Sequence, residues 1–200
     1  MRRFLLFGLG GILGVVFIVV SWQALSGPYT YQGSLIEPPI EAADFELTDQ
    51  SGQPFHLSDQ QGKVALIFFG YTNCPDVCPL TLSDFKLIKA DLGEKADQVS
   101  FVFVTVDPER DSQERLKAYL ANFDATFVGL TGSRSELESV WKAYGVYQAK
   151  QETSSAAGYT VDHTARTYAI DKQGFLRLTY PFEMERKAIL EDVRHLITEE

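Results

Sequence analysis

The chain of 200 residues contains no internal repeat, no long biased tract and no clustered run of Lys or Arg. The first two absences exclude a repeat array and a low-complexity linker protein. The third excludes the nucleic-acid binders, because their binding starts from a basic patch that releases counterions from the phosphate backbone. Positive charge is scarce throughout: 18 Lys and Arg face 27 Asp and Glu, for a formal net charge of −9. Arg2 and Arg3 are the only charges in the first 27 residues, so the remainder is more acidic still and is repelled by phosphate. Cysteine and histidine occur only twice and three times, which confines any thiol or metal chemistry to very few positions.

What is present is the balance of a folded chain, with 45% hydrophobic and 22% charged residues. The length suits one domain with a short appendage, since an ordinary core needs about 100 to 150 residues. Residues 1–27 read as that appendage. Two arginines precede residues 4–20, which carry no charge or strongly polar side chain, and continuing through Trp22 to Leu25 reaches the about 20 residues of a membrane span. The positive-inside rule would keep Arg2 and Arg3 in the cytoplasm and the rest of the chain on the far side. A cleaved signal peptide is the alternative, because Ala24-Leu25-Ser26 offers small residues at a peptidase spacing. Residues 28–43 then read as an extended tether broken by Pro28, Gly33, Pro38 and Pro39, leaving 44–200 as the folded domain.

In that domain, alternation at Phe45–Thr48, a turn at Asp49–Gly52 and Phe55–Leu57 predict an opening hairpin. Val64–Phe69 and Val99–Val106 are continuous apolar runs of the kind a strand buried on both faces needs. Between them Leu82, Phe85, Ile88 and Leu92 recur at helical spacing, predicting a strand, helix, strand unit with a parallel pair. Asp111-Ser112-Gln113-Glu114 and Ser133-Arg134-Ser135-Glu136 resemble capping boxes ahead of two further helices, Asp111 being the expected cap of the first. Arg166–Ile170 and Phe175–Tyr180 predict a second hairpin, and Ile189, Leu190, Val193, Leu196 and Ile197 a final helix. This order is that of an α/β domain of thioredoxin-like fold with an added amino-terminal hairpin.

The two cysteines, Cys74 and Cys78, follow the first apolar strand in Gly70-Tyr71-Thr72-Asn73-Cys74-Pro75-Asp76-Val77-Cys78-Pro79. A strand that turns into a helix leaves unpaired N–H groups, whose positive potential stabilises a thiolate. Lowered thiol pKa serves both a nucleophile and a metal ligand. Three intervening residues let the sulfurs approach across one turn, for a disulfide or for one shared metal ion. A merely stabilising bridge is disfavoured, because closing so short a loop removes little chain entropy. Two thiolates suit Cu(I) or zinc but leave zinc short of a tetrahedral set, so a third donor is expected.

Of the three histidines, His195 falls in the last turn of the final helix, where an imidazolium favours the helix carboxyl end. His56 lies in the first hairpin as an ordinary edge residue. His163, between the small-residue stretch 153–158 and the second hairpin, sits where a loop passes over the cysteine turn. It is the candidate third ligand, a solvated loop histidine being the alternative. Asp162 beside it is a candidate acceptor for its second ring nitrogen.

The cysteine segment, together with Val106-Asp107-Pro108-Glu109-Arg110-Asp111, Tyr144-Gly145-Val146-Tyr147 and Val161-Asp162-His163-Thr164, closely resembles the Sco/SenC family over residues 33–197. The resemblance implies a membrane-tethered copper protein acting in assembly of the dinuclear copper centre of cytochrome c oxidase subunit II. It also implies that Cys74, Cys78 and His163 hold the copper ion, Cu(I) or Cu(II). No ligand role is carried over to the Asp107–Asp111 motif, which reads as structural.

Two functions compete. One is a copper metallochaperone that passes its ion on by ligand exchange, with another copper chaperone as a further partner. The other is a thiol-disulfide oxidoreductase in which Cys74 attacks and Cys78 resolves, keeping the target's cysteines reduced and drawing on a thiol reductant. A peroxidase of the peroxiredoxin kind is disfavoured. Such enzymes place threonine three residues before the reactive cysteine, and here Tyr71 stands there.

Overall fold

Val64–Gly70 (β4) and Val99–Thr105 (β5) are buried along their whole length and pair in parallel, as their unbroken apolar sequences require. They lie at the centre of the computed structural model, which describes residue 27, residues 29–152 and residues 158–199. The chain divides into two units, Met1–Thr30 and Tyr31–Glu200, and every element named here belongs to the second. The expected anchor, apart from Gly27, lies outside the described residues. Among the described residues no helix is long and apolar enough to cross a membrane.

The main sheet has eight strands in the order β1-β10-β9-β4-β5-β6-β2-β3. Besides β4 and β5 these are β1 (Ser34–Glu41), β2 (Glu46–Asp49), β3 (Pro54–His56), β6 (Val128–Thr131), β9 (Arg166–Ile170) and β10 (Phe175–Pro181). A separate two-stranded sheet joins β7 (Gln148–Glu152) to β8 (Tyr159–His163). The helices are α1 (Val77–Leu92), α2 (Gln113–Leu120), α3 (Arg134–Ala143) and α4 (Arg186–Thr198). The α1 crossover between β4 and β5 buries Leu82, Phe85, Ile88 and Leu92, the residues whose spacing predicts it.

Three expectations need correction. The stretch read as a tether holds β1, which pairs with β10 at one edge of the sheet. Pro38 and Pro39 are tolerated there because an edge strand has N–H groups with no ladder partner to lose. The hairpin β2–β3 forms at the opposite edge, next to β6, and so is not the first element of the domain. Ser112, not Asp111, caps α2: its hydroxyl accepts from the Arg115 N–H at 3.3 Å. The other cap is as read, with Ser133 and Glu136 forming a reciprocal capping box on α3.

Candidate metal centre

β4 ends at Gly70 and α1 begins at Val77 after six intervening residues, so the cysteine segment is the turn from the central strand into the crossover helix. Gly70 is needed here for space. A Cβ at this position would lie 2.7 Å from Cys78 Sγ and 2.9 Å from both Phe68 and Phe103. The sulfur of Cys78 is therefore packed against the strand backbone, with no exposed surface, while Cys74 is partly exposed above it.

The turn is held from beneath. Asp111, fully buried, accepts from the Thr72 N–H at 3.1 Å, the Thr72 hydroxyl at 2.6 Å and the Thr105 hydroxyl at 2.7 Å. Arg115 donates to the Thr72 hydroxyl at 2.7 Å and to the Asn73 side chain. A buried carboxylate meeting three donors is well satisfied, although burial still raises its pKa. The Asp107–Asp111 motif is visible in the sequence. Nothing in its spacing shows that Asp111 turns inward under the cysteine loop, and the support from Thr72 and Arg115 has no sequence signal at all.

Cys74 and Cys78 are both free thiols, and the N–H of Cys78 donates to Cys74 Sγ at 3.4 Å. Their acidities are pushed apart. The Cys74 pKa is pulled down to about 4, first by a hydrogen bond from Cys78 and further by His163 and by the N–H groups of Cys78 and Asp76, against the opposing effect of burial. Burial, then the neighbouring Cys74, raises that of Cys78. The pair is thus a thiolate near the surface with a protonated thiol below it.

His163 closes the group from the other side. It ends β8, with Nε2 3.7 Å from Cys78 Sγ and its ring edge-on to Tyr71 and Phe68 at centroid distances of 5.8 and 6.0 Å. Nδ1 donates to the Thr164 carbonyl at 3.2 Å, which turns Nε2 to the side facing the sulfurs. The orienting acceptor is this carbonyl and not Asp162. Strand alternation points Asp162 to the opposite face, where its carboxylate accepts from Gln151 at 2.9 Å.

The donor atoms of Cys74, Cys78 and His163 all lie within 4.8 Å of one another, the one group of three such donors found among the described residues. Two soft sulfurs and an imidazole make a set that suits copper in either oxidation state. His56, at the end of β3, and His195 in α4, whose Nε2 lies 3.2 Å from Glu199, take no part.

A family model described as SCO1/SenC matches residues 34–198. An SCO2-like protein of Rickettsia prowazekii is 33% identical over 181 residues, covering 90% of this chain and 88% of its own length. The solved structure of Bradyrhizobium japonicum ScoI with copper bound matches with a TM-score of 0.72 at 38% identity, over 78% of this chain and 99% of that one. BsSco, described with a disulfide switch and as a member of the Sco family of cytochrome c oxidase assembly proteins, matches with a TM-score of 0.65 at 26% identity, over 84% and 99%.

Proposed function

The chain belongs to the SCO1/SenC family, and on that premise we propose that it is a copper metallochaperone for the dinuclear copper centre of cytochrome c oxidase subunit II. The observation that carries the proposal is the convergence of the donor atoms of Cys74, Cys78 and His163 within 4.8 Å, with Cys78 buried and with Cys74 and His163 lining an open pocket of about 440 Å³ beside Tyr71 and Val161. Copper is the cargo. Cys78 forms the floor of its site, His163 the wall and Cys74 the accessible lip, so a partner's ligand displaces Cys74 first. A copper chaperone that loads the site would use the same lip. Residues 1–27 anchor the chain as a single membrane span, with the site on the extracytoplasmic side.

The asymmetric thiol pair favours a second reading, reduction of the target's copper-site cysteines. The Cys74 thiolate attacks one sulfur of the target disulfide, and the other target sulfur leaves as a thiolate. Cys78 then loses its proton and displaces the first, so that a Cys74–Cys78 disulfide forms while the target gains two electrons. A thiol reductant must restore the pair. Loading of an oxidase-derived copper-site peptide separates the two readings: transfer of Cu(I) to the reduced peptide supports the chaperone, whereas reduction of the oxidised peptide without copper transfer favours the oxidoreductase.

A further inference from the structure

The hairpin that carries His163 lies outside the main sheet, so something other than a sheet ladder must fix where it stands. Strand alternation turns Tyr159, Val161 and His163 to one face of β8. The guanidinium of Arg110 stacks 3.6 Å from the Tyr159 ring and donates from Nη1 to the Tyr159 carbonyl at 2.9 Å. Its Nε is paired with Asp107, a carboxylate with almost no exposed surface, and the Tyr159 hydroxyl donates to that same carboxylate at 2.8 Å. Two residues further along, the N–H of Val161 donates to the Tyr71 hydroxyl at 3.2 Å. The edge of β8 that faces the domain is thus held at 159 by Arg110 and at 161 by Tyr71. The next residue in the same alternation is His163.

We propose that Arg110, locked by Asp107, is a positioning residue for the metal site: it fixes the register and tilt of β8 and so sets the distance of His163 Nε2 from the two sulfurs. The inference rests on the ligand set proposed above. A lysine could not replace Arg110, since one ammonium cannot present a planar face to Tyr159 while bonding both a carbonyl and a carboxylate in fixed directions. Loss of the clamp removes none of the hydrogen bonds by which Asp111 and Arg115 hold the cysteine turn, and it frees the imidazole.

The test compares Arg110→Ala with the wild-type full-length chain, and repeats the comparison in a His163→Ala background, using Cu(II) as the probe. The expected result is about tenfold weaker Cu(II) binding in Arg110→Ala, the scale typical of residues that orient a ligand. Its Cu(II) absorption and paramagnetic resonance spectra should move toward those of His163→Ala, while the midpoint potential of the Cys74–Cys78 disulfide stays at the wild-type value. In the His163→Ala background the Arg110 substitution should cause no further loss, because it acts through the histidine. Wild-type spectra and affinity in Arg110→Ala, or an equal loss in both backgrounds, would overturn the proposal. Should Arg110→Ala not fold, Tyr159→Leu removes the ring and hydroxyl that the clamp grips and is subject to the same two comparisons. If His163→Ala alone leaves Cu(II) binding unchanged, the ligand assignment itself fails and the positioning role falls with it.

Discussion

Replacing Gly70 by Ala adds one methyl group at the point where the central strand meets the buried sulfur. The new Cβ would stand 2.7 Å from Cys78 Sγ and 2.9 Å from Phe68 and Phe103. All three neighbours have at most 1% of their surface exposed, so none can swing away as a surface side chain would. Overpacking of such a core costs about 1–3 kcal/mol. For a domain of this size that corresponds to a fall in Tm of roughly 2–12 °C. Because the nearest clash is with a proposed ligand atom, copper affinity should fall together with stability. A Gly70→Ala/Cys78→Ala double variant, measured by thermal unfolding, should be more stable than the sum of the single effects by about 0.5–3 kcal/mol, the usual range for coupled neighbours. A Gly70→Ala protein with wild-type Tm and copper affinity would refute the packing of Cys78 against the strand backbone.

Cys74 and Cys78 should differ sharply toward an alkylating reagent. With the Cys74 pKa near 4, its modification rate should stay nearly flat from pH 8 down to about pH 5 and fall only as the pH drops through about 4, whereas an ordinary thiol near 8.5 would lose rate throughout that range. Mass analysis should find Cys78 unmodified in the folded protein; equal labelling of both sulfurs would contradict the assigned burial. Asp111→Ala should lower stability by about 3 kcal/mol in denaturant unfolding, because Thr72 and Thr105 lose their buried acceptor, and a change under about 0.5 kcal/mol, the range of ordinary surface substitutions, would show that the turn does not depend on it. Replacing either cysteine by Ser should abolish both copper binding and thiol exchange in parallel assays, and retention of either activity would detach it from the pair.

The centre of the fold was legible because its physics is local. Val64–Phe69 and Val99–Val106 carry enough apolar residues to announce buried strands unaided, and Ser133 and Glu136 announce a helix start. β1 was hidden by Pro38 and Pro39, which read as breakers until the strand is known to be an edge. β7 and β8 were hidden for a different reason: Gln148–Glu152 has little apolar alternation, and the pair is held in place by Arg110, Tyr71 and the ion pair of Lys150 with Glu109. At the site, the two cysteines were placed by their position between a strand and a helix. The convergence of His163 on them depends on a contact 85 residues apart in the chain, which no local pattern encodes. The orienting role of the Thr164 carbonyl was equally invisible, since backbone acceptors leave no mark on composition, and Asp162 drew attention only by being adjacent.

X-ray absorption on the Cu(I)-loaded full-length protein tests the proposed ligand set most directly. The wild-type first shell should contain two sulfurs and one nitrogen, and His163→Ala should lose the nitrogen while keeping both sulfurs, since two thiolates suffice for a linear Cu(I) site. A nitrogen shell that persists in His163→Ala, or a wild-type shell with only one sulfur, would contradict the assignment of Cys74, Cys78 and His163 as the copper ligands.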